Sequence, residues 1–186
     1  MKLLAFDTST EHLSVAVSHR RGEHVALWHH EGAGGAQASA TLIPTVQALL
    51  AQAGLRLGEL DAIVFGAGPG SFTGLRTACS VAQGLGHGAD VPLLPVDTLL
   101  AVAEDARLAC AADGAPLQVL AVLDARMDEV YAARHVWDGA HWRARGDWTL
   151  GKPEALAVGE PADGAGWVVA GNAFAGITST SAFNFR

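Results

Sequence analysis

Two stretches of this chain begin in the same way, and the repetition limits what it can fold into. Leu3-Leu4-Ala5-Phe6-Asp7 is an apolar run that ends on a carboxylate, and Leu120-Ala121-Val122-Leu123-Asp124 does the same. A constant offset of 117 residues sets Leu3 on Leu120, Asp7 on Asp124, Ala16 on Ala133, Gly22 on Gly139 and His24 on His141. A short apolar run closed by a polar residue reads as a buried strand. Leu13, Val15 and Val17 then alternate with Ser14, Ala16 and Ser18, Arg20 to Glu23 turn the chain, and Val25 to His30 return. In the second copy Val130, Tyr131 and Ala132 open a strand, Asp138-Gly139 turns, and His141 to Trp148 return. The pattern predicts an internal duplication, with a first lobe over 1–114 and a second over 115–186.

The rest of the first lobe reads as α/β. Gly32-Ala33-Gly34-Gly35 is a flexible connection, and Leu42, Ile43, Val46, Leu49 and Leu50 recur at helical spacing. Pro44 sits near a first turn or kinks that helix, and Gly54 is a C-cap. Asp61 to Phe65 is a strand, Thr73 to Gly84 a helix and Val91 to Val96 a strand. Asp97 or Thr98 caps a helix running from Leu99 to about Ala112. This order predicts an antiparallel hairpin followed by parallel crossovers in one mixed sheet. The second lobe offers a short helix at Pro153 to Ala157, a strand at Trp167 to Ala170 and a turn at Gly171 to Ala173. Phe174 to Arg186 shows no periodicity, so the second lobe is expected to be incomplete.

Half of the residues are apolar and 17% are charged, which excludes a disordered chain. The net charge of −7 argues against a protein that grips nucleic acid by itself, since phosphates are neutralised by clustered Lys and Arg. Asp7 arrives too early for a signal-peptide core, and no apolar run approaches the ~20 residues that span a bilayer. Cys79 and Cys110 read as free thiols of a reducing compartment. The expectation is a cytoplasmic protein without membrane contact.

The densest chemical signal is Gly66-Ala67-Gly68-Pro69-Gly70-Ser71-Phe72-Thr73-Gly74-Leu75-Arg76, between a strand and a helix. One reading is a tight turn feeding a helix that packs closely. The other is an anion or nucleotide-like site, built from Gly68, Gly70, Ser71, Thr73 and Arg76 at the helix N-terminus. The loop lacks the Gly-Lys-Ser/Thr of a P-loop and the downstream acid of a dinucleotide fingerprint. Asp7-Thr8-Ser9, a carboxylate followed by hydroxyls at a strand end, is the second half of that candidate; its plainer role is to cap the turn. Asp124 is followed by Ala125-Arg126, so the second lobe keeps the turn and has no nucleotide chemistry. The eight histidines form no His-Glu-x-x-His and no pair sharing a helix face, so neither a metal site nor a cofactor is expected. No Gly-x-Ser-x-Gly elbow supports a hydrolase.

In order and spacing, Leu4-Ala5-Phe6-Asp7-Thr8-Ser9-Thr10-Glu11, the run from Gly68 to Arg76, Ala82-Gln83-Gly84-Leu85, and Leu123 to Tyr131 resemble the TsaB (YeaZ) family. The resemblance covers residues 1 to about 135, and members normally continue well past residue 186. It implies an actin-like ATPase (ribonuclease H-like) fold of two lobes. It also implies a non-catalytic role in threonylcarbamoylation of the adenosine beside the tRNA anticodon. The implied partners are a TsaD-type catalytic paralogue and a TsaE-type ATPase, with tRNA met only indirectly; an exposed apolar helix pair would also favour a homodimer when the chain is alone. An actin-like nucleotide-binding enzyme, or a metallopeptidase of the M22 grouping under which the family is also filed, is the alternative. The family carries a histidine ahead of the Leu-Pro of the first helix, where this chain has Ala38-Ser39-Ala40-Thr41-Leu42-Ile43-Pro44. Helices 38–53 and 73–86 are expected to form the partner surface, through Leu42, Val46, Leu49, Gly74, Thr77, Ala78, Val81, Ala82 and Leu85.

Overall fold

A computed structural model describes residues 1–110, 114–156, 166–173 and 183–185, the last as backbone. The chain divides into two units, Met1–Thr98 and Leu99–Arg186.

In the first unit, β1 (Lys2–Asp7) pairs with β2 (His12–Arg21) in antiparallel fashion and with β4 (Ala62–Gly66) in parallel. β3 (His24–Ala33) lies outside β2 and β5 (Leu93–Val96) outside β4, giving the order β3-β2-β1-β4-β5. The expected flexible stretch at Gly32 is corrected: Gly32 and Ala33 still pair with Leu13 and His12. Alternation puts Leu4, Phe6, Leu13, Val15, Val17, Ile63 and Phe65 in one core. Two helices, with Leu55, Leu60 and Val91 of the connections, supply the rest of that core. α1 (Ala38–Ala53) contributes Leu42, Val46, Leu49 and Leu50, and α2 (Phe72–Ala89) contributes Ala78 and Ala82. Gly54 closes α1 in the left-handed conformation, φ 65°, which a side chain would disfavour. Pro44 is accommodated inside the helix near its start.

The second unit has its own sheet. β6 (Leu117–Arg126) pairs antiparallel with β7 (Glu129–Trp137) and parallel with β10 (Trp167–Gly171). β8 (Trp142–Ala144) and β9 (Thr149–Gly151) both border β7, and β11 (Phe183–Phe185) borders β10. The path β8-β7-β6-β10-β11 has the same sequence of antiparallel and parallel joins as β3-β2-β1-β4-β5, so the duplication extends to topology. The second sheet also fills all five positions. β11 falls in the segment 174–186 that shows no periodicity, where the sequence predicts no strand; 174–182 and 186 lie outside the described residues. So do 111–113, at the expected end of the third helix, and 157–165, which include Ala157.

The gapless alignment of the two copies also needs a correction. Asp7 pairs with Ser14 whereas Asp124 pairs with Val130, with a bulge between Asp124 and Arg126. The second connection is one residue shorter, so Tyr131 and Ala133 take the places of Val15 and Val17.

α3 (Thr98–Cys110) presents Leu99, Ala103 and Ala106 at i, i+4, i+7, the spacing of one helix face. Those side chains pack on Val119, Ala121, Leu123, Ala133, Val168 and Ala170. The helix counted with the first lobe by the 1–114 division therefore has its core contacts in the second unit. Glu104 holds it to β8: its carboxylate accepts from both Nε and Nη2 of Arg107 at 2.7 Å and from Trp142 Nε1 at 2.9 Å.

Candidate interaction site on the first unit

The glycine-rich loop between β4 and α2 is built around the β1–β2 turn. Asp7 ends β1, and its Oδ1 accepts from Ser9 N at 2.8 Å and Ser9 Oγ at 2.6 Å. That closes the turn through the side chain. Asp7 Oδ2 lies against Gly66, where a Cβ would overlap it. Ser71 N donates to the Ser9 carbonyl at 2.7 Å, and a Cβ at Gly70 would stand 2.6 Å from Ser9 Cβ. One turn into the helix, the Thr8 hydroxyl donates to the Gly74 carbonyl at 2.7 Å, and a Cβ at Gly74 would overlap the Thr8 carbonyl. Gly68, with φ +98°, joins the loop to Thr98 just after β5, accepting from Thr98 N at 2.9 Å and donating to Thr98 Oγ1 at 3.2 Å.

The structure thus brings Asp7, Thr8, Ser9, Gly70, Ser71 and Gly74 together, with Gly68 tied to Thr98. The glycines serve close packing of helix on turn. Two donors at the start of α2 are engaged: Ser71 N as above, and Gly74 N with the capping Ser71 Oγ at 3.4 Å. Thr73 is exposed and accepts from Thr77 Oγ1 through its carbonyl at 3.0 Å. The Arg76 guanidinium stacks on the exposed Phe72 ring, 3.6 Å from its centroid. In the second unit, the Asp124 carboxylate accepts from Arg126 N at 2.8 Å and Nη1 at 3.4 Å, and Arg126, Met127 and Asp128 all take positive φ.

The outward side of α1 and α2 has a different character. Leu42, Val46, Leu49, Ala78 and Ala82 point into the unit's own core, Gly74 is buried against Thr8, and Ala38 is fully buried. Of the residues expected at a partner surface, Thr77, Val81 and Leu85 reach it, half-buried. Ile43 and Phe72, absent from that expectation, are 41% and 68% exposed. They escape periodicity arguments because an outward apolar side chain on a helix has the same spacing as an inward one. Two open grooves follow the pair. One is apolar and lined by Ile43, Val46, Leu50, Leu55, Leu57 and Leu85; the other holds Ser39, Phe72, Thr73, Arg76, Ser80 and Val81. Across both helices the only Lys, Arg, Asp, Glu or His residues are Arg76 and His87. The core of a protein–protein interface is depleted of charge and rich in aromatic residues in the same way. Among the described residues, no three His, Cys, Asp or Glu side chains gather as a metal-holding group. Among the described residues, no helix is long and apolar enough to cross a membrane.

Comparison with known proteins agrees with the fold. Residues 33–162 match the family described as TsaD, tRNA N6-adenosine threonylcarbamoyltransferase. The "tRNA threonylcarbamoyladenosine biosynthesis protein TsaB" of Haemophilus influenzae is 42% identical over 136 residues, covering 73% of this chain and 54% of that protein. The Escherichia coli protein of the same name is 37% identical over 159 residues, covering 84% and 64%. The chain therefore spans between about half and two thirds of these curated relatives. The solved structure of YeaZ from Pseudomonas aeruginosa superposes with a TM-score of 0.78 at 39% identity, covering 91% of this chain and 75% of that one. Shared sequence over most of the chain and a shared two-sheet fold place it in the TsaB (YeaZ) family.

Proposed function

We propose that the chain acts in tRNA threonylcarbamoyladenosine biosynthesis, in the cytoplasm, as a non-catalytic subunit that docks a TsaD-type paralogue through α1 and α2. The observation that carries this reading is the nearly uncharged outer surface of those helices, with Ile43, Phe72, Thr77, Val81 and Leu85 exposed or half-buried around two grooves. Apolar area of that kind gains roughly 25 cal/mol per Å² when a partner covers it. The paired helices also offer a platform for a TsaE-type ATPase, with tRNA held by the other subunits, as the net charge of −7 favours.

The alternative, a nucleotide-binding enzyme acting at Asp7 and the loop 66–76, is less well supported, because Ser71 N and Gly74 N are already bonded within the unit. The test is co-purification with the TsaD of the same organism, wild type against Val81→Glu, with circular dichroism to verify the fold. The expected result is a one-to-one complex that the substitution abolishes. A complex that tolerates Val81→Glu in natively folded protein sinks the helix-surface reading.

A further inference from the structure

Apart from His87 in the last turn of α2, Arg76 is the only acidic or basic side chain of α1 and α2. It lies one helical turn from Phe72, whose ring is 68% exposed, and its guanidinium rests over that ring, 3.6 Å from the centroid. Such stacking holds the cation in place and leaves its N–H groups for other acceptors. Arg76 makes no hydrogen bond or ion pair with any described residue. Its neighbours three and four positions away on the helix, Phe72, Thr73, Cys79 and Ser80, carry no counter-charge. The groove beside it has hydroxyls from Ser39, Thr73, Thr77 and Ser80, and no carboxylate. The helix itself gains nothing from a cation in its second turn, because the macrodipole favours positive charge only at the other end.

We infer that Arg76 is the specificity-determining residue of the α1–α2 surface and takes a carboxylate of the docking protein in a bidentate pair. The inference rests on the docking reading above and adds the chemistry that the partner must present. A partner that covers the apolar groove along Ile43, Leu50, Leu55 and Leu85, and the polar groove next to Val81, removes Arg76 from water as well. A charge buried in this way is costly unless it is paired and hydrogen-bonded, and neither helix has an acid to pair it. The planar guanidinium matches two carboxylate oxygens at once. Phe72 holds it before the partner arrives, so less freedom is lost on binding. Position matters too: the cation sits in the N-terminal half of α2, whereas Leu85 and the apolar groove lie toward its C-terminal half. A partner docked in the reverse sense would leave Arg76 buried without its acid, which selects one orientation. A protein carboxylate fits better than an RNA phosphate, because one cation among apolar side chains, on a chain of net charge −7, makes no phosphate track.

The experiment is calorimetric titration of the full chain with the TsaD of the same organism, free of RNA, over a series of NaCl concentrations. Wild type, Arg76→Gln, Arg76→Lys and Val81→Glu are compared, with circular dichroism on each. The expected result is that Arg76→Gln weakens binding about tenfold or more and flattens its salt dependence, while Arg76→Lys keeps the salt dependence and binds between the two. Arg76→Glu should in turn be rescued by one Asp→Arg or Glu→Arg substitution among the surface acids of the partner. Wild-type affinity in Arg76→Gln, or weaker binding with unchanged salt dependence, overturns the inference. If Val81→Glu abolishes binding while Arg76→Gln does not, the docking surface stands and Arg76 is no part of its selectivity. If Val81→Glu binds as wild type, the docking surface falls and this inference falls with it.

Discussion

The Thr8 hydroxyl donates to the Gly74 carbonyl at 2.7 Å, and this bond fastens the first turn of α2 to the end of β1. Thr8 is fully buried, so the pair is shielded from water. Gly74 permits the approach, since any side chain there would overlap the Thr8 carbonyl.

Gly74→Ala should therefore destabilise the first unit by about 1–3 kcal/mol or more, the usual cost of overpacking. Gly84→Ala, on the same helix with nothing within 4 Å of the added carbon, should stabilise by about 0.5–1 kcal/mol. Urea denaturation of both variants checks the contrast. Equal effects would mean that the helix does not sit this close to the turn.

Removing the hydroxyl alone, in Thr8→Val, should cost about 1–3 kcal/mol, because the Gly74 carbonyl loses a buried donor. The helix start moves with it. Hydrogen exchange should speed up at the first amides of α2 and stay unchanged in β2.

Glu104 gives the second unit a pH dependence. The hydrogen bond from Arg107 holds its carboxyl below the ordinary value of 4.5, burial opposes, and the bond from Trp142 adds to the lowering. The folded state thus favours the carboxylate. Its contribution is fully present above pH 4.5 and is lost as pH falls below that, through the depressed folded value. Glu104→Gln should cost about 1 kcal/mol at pH 7, kept small by the 40% exposure of the side chain. The variant should also lose stability less steeply than wild type as pH falls below 4.5, as read by thermal melts at successively lower pH.

At Gly171, φ is +135° and a Cβ would overlap the Val122 carbonyl, so Gly171→Ala should weaken the β6–β10 pairing. A loss of about 2 kcal/mol or more is expected from strain and overpacking together. Exchange of the Val168 to Ala170 amides would report it; unchanged protection there counts against the pairing.

Much of this molecule is local in origin and was legible as such. The apolar runs at Leu3 and Leu120, the alternation through Val17 and the helical spacing of Leu42, Val46 and Leu49 each follow from the period of a strand or helix, which neighbouring residues set. Gly54 and Ser71 mark helix ends by their own chemistry. What needed tertiary structure was every choice between equivalent faces. Spacing alone cannot say that Leu42 and Ala78 turn inward while Ile43 and Phe72 turn outward, since only the sheet beneath the helices distinguishes the sides. Register was also beyond reach, because one residue fewer between Asp124 and Val130 moves Tyr131 into the place of Val15 without altering the periodic pattern. The glycine-rich loop was ambiguous for a related reason. Glycine permits both anion binding and close packing, and only the tertiary structure shows Ser9, Thr8 and Asp7, from a distant part of the chain, packed against Gly66, Gly70 and Gly74.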